Sequence, residues 1–308
     1  MKEALPEATE DDQQPRIVTT LLGHAHVEMA LLCLGSLLDF SAAPVRLRIH
    51  DDGSLTAADV ARLAAGLPDP EVVMRPEADE RLADLLADYP AARAFRAVNP
   101  LALKLLDVVL LSADAELAFC DSDVLFLRPF AGLFHLPPDS GTLLMSDPRQ
   151  SYSVRSWHLL LEPRLRMPAH VNTGVIAYRK SCFDLDLVEW FLSHARYQFA
   201  PCWVEQTCWA LLAQAAGCRL LDPEAVSIFV PGSEPSEWQV ALHFVSPIRG
   251  LLAPFAAGGA RRPSGSQMRQ PVVIRSFAAP RLRAPHLATT EIRRRLSRLA
   301  PLAWLRQR

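Results

Sequence analysis

The chain alternates short apolar runs with longer stretches of helical periodicity. After a polar leader over residues 1–15, "RIVTTLL" (16–22) is a β-branched apolar run of strand length. "HVEMALLCLGSLLDF" (26–40) carries apolar residues at helical spacing and predicts a mostly buried helix. "VRLRIH" (45–50) alternates as a half-buried strand does and runs into Asp51-Asp52-Gly53, a turn signal. Thr56, with Asp59 three residues on, predicts a capping box ahead of "VARLAAGL". "EVVMR" (71–75) predicts a third strand, "ADERLADLLADY" (78–89) a helix, "LALKLLDVVLLS" (101–112) another helix, and "ELAFCD" (116–121) a further strand. Beyond them, "TLLMSD" (142–147) and "VNTGVIAYR" (171–179) predict strands, and residues 183–199 and 203–216 predict helices. "VSIFV" (226–230) and "QVALHFV" (239–245) read as late strands. Strand-helix alternation from residue 16 to about 125 predicts an α/β sheet with helices on both faces.

Composition adds a boundary. Half of the 308 residues are hydrophobic, enough for a substantial core, and no run reaches the ~18 apolar residues of a membrane span. Residues 261–308 hold twelve arginines and one acid, Glu291, whereas residues 1–260 hold 20 basic and 33 acidic residues, a net −13. The shift to "RRPSGSQMRQP" after Gly258-Gly259 marks where this basic segment opens. The expected parse is a polar leader (1–15), one α/β domain (16–255), and a basic linker with an amphipathic tail (256–308). The leader has no apolar stretch behind Lys2, so a cytoplasmic location is expected. The six cysteines (33, 120, 182, 202, 208 and 218) are scattered, mostly among apolar neighbours, and in a chain expected to be cytoplasmic they are expected to be reduced; Cys202, Cys208 and Cys218 fit no standard zinc spacing. Arginine outnumbers lysine 29 to 3 in a chain rich in alanine and leucine, consistent with a GC-rich bacterial gene.

The candidate chemistry starts at "LAFCDSDVLFL" (117–127), where Asp121 and Asp123 interrupt an apolar run. On an extended chain these residues share a face, with Ser122 turned away. In open α/β sheets ligands collect beyond the carboxyl ends of strands. Two carboxylates there are suited to a hard divalent cation such as Mg²⁺ or Mn²⁺ that bridges a diphosphate. A surface turn is the bland alternative. Two reaction classes place D-x-D after an apolar strand. One is nucleotide-sugar transfer. The other is phosphatase chemistry of the haloacid dehalogenase type, with Asp121 as nucleophile. That second pattern belongs on the first strand of its domain and needs a later acidic pair closing a strand. About a hundred residues precede Asp121, and "FDLDL" (183–187) reads as helix, so transfer is preferred.

With these residues in view, the chain resembles the GT-A glycosyltransferases, in particular the glycogenin-like retaining family with its bacterial lipopolysaccharide galactosyl- and glucosyltransferases. The resemblance spans residues 16 to about 250. "FCDSDVLFLRPF" is similar to the family's D-x-D strand, and Lys104 stands where the family carries a basic residue on the preceding helix. "VNTGVIAYRK", with Asn172, Thr173 and Gly174, resembles its Asn-Ser/Ala-Gly strand. "WVEQTCWALL" resembles its Asp-Gln helix start, with Glu205 in place of Asp and Gln206 retained. "LHFVSPIR" resembles its H-x-x-G-x-x-K signature, with His243 retained, Ser246 in place of Gly and Arg249 in place of Lys.

The resemblance implies a Rossmann-like nucleotide-diphospho-sugar transferase fold, a mixed sheet flanked by helices with a basic helical tail. It implies Mn²⁺ or Mg²⁺ held by Asp121, Asp123 and His243. The donor, expected to be a UDP-sugar, would meet Thr19, Thr20, Asp52, Lys104, Asp121, Ser122, Asp123, Asn172, Thr173, Gly174, Ser246 and Arg249. Asp52 serves equally well as part of an Asx turn. Glu205 and Gln206 are the candidate catalytic residues, and transfer with retention to a glycan or lipid-linked acceptor is implied. A catalytically inactive nucleotide-sugar-binding relative is the third alternative, kept open by Ser246.

Two further features bear on partners. Trp209 has core spacing with Leu212, so Trp238, within the polar "SEPSEWQ", is the better candidate for stacking on an acceptor sugar. In "TTEIRRRLSRLAPLAWLRQR", Ile292, Leu296, Leu299 and Ala303 interleave with Arg293, Arg294, Arg295 and Arg298. With Trp304 nearby and Pro301 as a kink, this segment suits an anionic membrane surface at the inner face. Docking on the acidic body is the alternative, and nucleic acid is not expected.

Overall fold

The computed structural model describes residues 15–258 and 270–297. The chain begins with β1 (Arg16–Leu22), α1 (Val27–Phe40), β2 (Val45–Asp51), α2 (Ala57–Gly66) and β3 (Glu71–Val73). Four short helices, α3 (Arg75–Leu82), α4 (Pro90–Val98), α5 (Leu101–Leu105) and α6 (Asp107–Leu110), lead to β4 (Glu116–Cys120). Next come β5 (Val124–Phe126), β6 (Phe130–Ala131), β7 (Thr142–Ser146), α7 (His158–Leu161), β8 (Val171–Arg179) and α8 (Leu185–Leu192). The remaining elements are α9 (Val204–Ala216), β9 (Cys218–Leu221), β10 (Val226–Ile228), β11 (Ala241–His243), α10 (Leu252–Ala257), β12 (Val272–Val273), β13 (Ser276–Ala278) and α11 (Ala284–Ser297).

The main sheet has eight strands in the order β13-β9-β7-β8-β4-β1-β2-β3. β1, β2, β3 and β4 are mutually parallel, and β8 runs antiparallel between β4 and β7. The chain progresses outward from β1 to β3 and then returns to place β4 on the other side of β1. That reversal is the switch point where open α/β sheets form a ligand crevice, and Asp121 follows β4 directly. A second sheet joins β10, β11 and β5, with Val124 paired to His243.

Strand alternation feeds two cores, one on each face of the main sheet. From β4 and β8, Leu117, Phe119, Ile176 and Tyr178 join the core beneath α4–α6, α8 and α9. Ala118, Cys120, Val175 and Ala177 point the other way and pack with α1 and α2. α1 meets that core through Val27, Ala30, Leu34 and Leu37, an i, i+3, i+4 stripe. The Thr56–Asp59 capping box forms as expected. α9 is buried from Val204 to Ala213 and ends at Gly217, whose φ of 78° suits glycine.

Several elements differ from the sequence reading. α3 starts at Arg75, ahead of the expected residue 78, with Pro76 in its first turn, where a missing N–H costs nothing. Strand β3 is shortened accordingly. α4 was not anticipated. Arg93 and Arg96 interrupt its apolar positions, and Pro90 at its start was the available signal. The helix expected over 101–112 divides at Leu106 into α5 and α6. α8 covers only Leu185–Leu192 of the helix expected over 183–199 and is capped by Asp184.

The boundary expected at residue 255 is revised for residues 270–297, which return to the body. β12 pairs with β6, and β13 completes the edge of the main sheet against β9. Leu282 and Leu287 enter the core. Glu291 and Arg294 of α11 bond to Ser156 and Gln150. Ile292 is exposed. The side chains of Arg295 and Leu296, and all of Arg298, Leu299, Pro301, Ala303 and Trp304, lie outside the described residues, as do residues 1–14 of the leader and most of the linker. No described helix is long and apolar enough to cross a membrane. All six cysteines are free thiols.

Candidate active site

Asp121 and Asp123 do not occupy an extended strand. They form a turn between β4 and β5, closed by Val124 N–H donating to Asp121 O at 3.2 Å. Two long-range backbone bonds hold that turn. Asp121 N–H donates to Gly174 O of β8 at 2.7 Å, and Phe244 N–H donates to Asp123 O at 2.9 Å. The second follows from the β5–β11 ladder, which sets His243 beside the turn. Ligand atoms of Asp121, Asp123 and His243 consequently all lie within 4.8 Å of one another. Ser122 is buried at the corner.

His243 is aimed by its second ring nitrogen. Gly174 N–H donates to Asn172 Oδ1 at 2.8 Å, which identifies that atom as the oxygen, and His243 Nδ1 lies 3.1 Å from it. A proton on Nδ1 therefore donates to Asn172, leaving Nε2 for the carboxylates, 3.0 Å from Asp123 and 3.5 Å from Asp121. This is the arrangement by which outer hydrogen bonds orient a metal-ligating imidazole. Gly174 makes room for it: a Cβ there would lie 2.4 Å from His243 Nδ1. Asn172, expected to meet the donor, thus spends its carbonyl oxygen behind His243.

Cations surround the two carboxylates. Lys104 is buried in α5 and donates to both Asp121 oxygens at 2.9 and 3.0 Å, with the Phe119 ring 4.7 Å beneath its ammonium. Arg249 donates through Nε to Asp123 Oδ2 at 2.8 Å, and its Nη1 lies 3.2 Å from His26 Nε2. Ser246, at the start of the same turn, is exposed. Burial would push Asp123 up, but His243 and Arg249 outweigh it and hold the carboxyl at about 2. Burial raises Asp121, with Lys104 opposing. For Lys104 and His243, burial alone would lower the pKa, yet the neighbouring carboxylates raise both.

The residues present fit a hard divalent cation. Asp123 Oδ1 is buried and accepts no hydrogen bond, although His243 Nε2 approaches it without suitable bond geometry. An orphaned carboxylate oxygen facing an imidazole nitrogen is an incomplete donor set that a cation satisfies. Two carboxylates suit Mg²⁺ or Mn²⁺, and the imidazole shifts that balance toward Mn²⁺.

The other side of the site is formed by the start of α9. Glu205 is buried, accepts from Thr173 Oγ1 at 3.2 Å, and has its second oxygen 4.0 Å from Lys104 without a hydrogen bond. Burial pushes its carboxyl up to about 7 against the pull of Lys104. Gln206 Nε2 donates to Ser151 O at 2.7 Å, which ties α9 to the segment after β7.

Not every expected residue reaches this cluster. Thr19 and Thr20 lie inside β1, their main chains in register with Arg48 and Ile49. Continuing the β1–β4 register puts Leu21, not either threonine, level with Asp121. Asp52 Oδ1 accepts from Ser54 N–H and Oγ, so the Asx turn is formed. Asp51 binds Gly53, Leu55 and Arg75 N–H groups and serves the loop. Trp209 is core, and Trp238 is exposed. Asp184 caps α8 and Asp186 lies in its first turn, so "FDLDL" supplies no strand-borne acidic pair of the phosphatase kind. One residue was missed. His26, at the cap of α1, meets Arg249, and no local pattern foretold it.

No protein-family model matches the sequence, and no curated protein matches it. Solved structures do match in shape. Mouse xyloside xylosyltransferase 1, in its apo form, aligns over 76% of this chain and 98% of its own at 12% identity, with a TM-score of 0.51. The galactosyltransferase LgtC, in complex with donor and acceptor sugar analogues, aligns over 80% and 93% at 14% identity, with a TM-score of 0.48. The mannosyltransferase Ktr4p of S. cerevisiae, in complex with GDP, aligns over 71% and 74% at 9% identity, with a TM-score of 0.47. At such identities the likeness is one of architecture, and the large mixed sheet flanked by helices is the GT-A fold of glycosyltransferases.

Proposed function

We propose that the chain is a metal-dependent glycosyltransferase, moving a sugar from a nucleotide-diphosphate donor, with UDP as the nucleotide, to a glycan or lipid-linked acceptor with retention. The observation that carries this reading is the convergence of Asp121, Asp123 and His243 at the sheet's switch point. Asp121, Asp123 and His243 would hold Mn²⁺ or Mg²⁺. When bound, the ion supplies Lewis acidity toward the departing diphosphate. Arg249 provides a planar fork suited to phosphate once it gives up Asp123, and Lys104 keeps positive charge beneath the same turn. Glu205 and Gln206 enter from the opposite side, where the donor's sugar would sit.

The deciding experiment is isothermal titration of the full chain with UDP and Mn²⁺, paired with a UDP-sugar screen that reports the product anomer. Metal-dependent UDP binding, lost in Asp121→Asn, is expected. Absence of binding for UDP- and GDP-sugars alike would remove the main support. UDP binding without turnover of any sugar would leave a nucleotide-binding relative.

A further inference from the structure

The segment beyond the expected domain boundary reaches the sugar side of the site. α11 is anchored by Leu287, which is fully buried. One turn later, Glu291 accepts from Ser156 N–H at 2.9 Å and from Ser156 Oγ at 3.2 Å. Arg294 then does two things at once. Its Nη2 donates to Gln150 O at 3.0 Å, and its guanidinium lies 3.9 Å over the Trp203 ring.

Both contacts adjoin bonds that orient the first turn of α9. Trp203 is the residue at the N-cap of α9, and its carbonyl accepts from Thr207 Oγ1 at 2.7 Å. Next to Gln150, Ser151 O accepts the Gln206 amide at 2.7 Å. Two residues further, Ser153 N–H donates to Thr207 Oγ1 at 2.9 Å. Arg294 thus bridges the loop after β7 to the helix that carries Glu205 and Gln206. Guanidinium stacking on an aromatic face together with a hydrogen bond to a carbonyl is a geometry that lysine cannot reproduce.

We propose that Arg294 is a positioning residue for sugar transfer, fixing residues 150–157 against the start of α9 so that Glu205 and Gln206 are held toward the donor's sugar. This rests on the transferase reading above, whereas the mechanical link itself does not. The residues that would hold the metal lie on the β4–β5 turn and β11, whereas the Gln150 and Trp203 contacts of Arg294 lie at the loop after β7 and the start of α9. Its removal should therefore leave nucleotide binding alone and lower turnover. Small displacements of a catalytic group cost about tenfold to a hundredfold in rate.

The test uses full-length protein and the variants Arg294→Ala, Arg294→Lys and Ile292→Ala, the last being an exposed position on the same helix. Hydrogen–deuterium exchange without ligand should show faster exchange over residues 150–157 and 203–209 in Arg294→Ala and no change in Ile292→Ala. With UDP-glucose and UDP-galactose as probes in Mn²⁺, kcat should fall about tenfold or more in Arg294→Ala while the Kd of UDP stays within about twofold. Arg294→Lys should fall between the two. Unchanged exchange in Arg294→Ala overturns the proposal, as does a kcat equal to that of the unsubstituted protein or an equal weakening of UDP. Should the unsubstituted protein neither bind UDP nor turn over either probe, the transferase reading fails, and the exchange result alone decides whether Arg294 holds the segment.

Discussion

Gly174→Ala is the sharpest probe of the proposed metal site, because one methyl group tests the whole arrangement around His243. Gly174 has no positive φ, so alanine meets no backbone strain and the substitution is purely one of space. The added Cβ would lie 2.4 Å from His243 Nδ1, 2.6 Å from Cε1 and 2.9 Å from Asn172 Oδ1, where ordinary contact starts at 3.4 Å. The imidazole must therefore retreat by about 1 Å, and it is buried with little room to do so. That movement separates Nδ1 from Asn172 and carries Nε2 off the carboxylates. Overpacking of this size costs about 1–3 kcal/mol of stability. Losing the outer hydrogen bond of a metal-ligating histidine costs about 10- to 100-fold in metal affinity. Titration of Mn²⁺ into both proteins reads the affinity, and urea unfolding separates it from a general loss of fold. A folded Gly174→Ala protein that binds Mn²⁺ within about twofold of the unsubstituted chain would refute the reasoning, as His243 would then not be a ligand in the geometry described.

Two further substitutions address buried charge. Glu205 has its folded pKa raised from 4.5 to about 7, so the folded state disfavours its charge and stability falls as pH rises through that window. Glu205→Gln should remove this fall, gaining on the unsubstituted protein between pH 5 and pH 8 by at most about 3 kcal/mol in urea unfolding. A stability difference that is the same at both pH values would count against the burial argument. Arg96 donates to both oxygens of Asp107 at 2.7 and 2.6 Å, with Asp107 only 1% exposed. Arg96→Met should destabilise by about 3–5 kcal/mol by stranding that carboxylate, and Asp107→Leu in the same chain should recover most of it. An unchanged urea midpoint in the single variant would show that Asp107 finds another partner.

How legible the molecule was depended on the range of the interaction. β1, β8 and the Thr56 capping box match their expected bounds because periodicity and capping are set by residues a few positions apart. α4 escaped because its buried positions include Arg96, a polar residue whose partner Asp107 lies on another helix. The domain boundary was drawn by composition, which reports charge and not pairing. β13 nevertheless completes the main sheet.

By itself, the sequence determined the α/β alternation, the position of Asp121 and Asp123 at the end of a central strand, and the set of residues worth bringing to them. The tertiary structure alone decided how they meet. Asp123 and Arg249 are 126 positions apart, and they join because β5 pairs with β11 and swings the following turn onto the carboxylates. Only the folded chain shows that Asn172 aims His243, that Thr19 and Thr20 lie within the sheet, and that Arg294 reaches α9. Strand register and the burial of one side chain against another depend on the whole packed core, and no local pattern of residues carries that information.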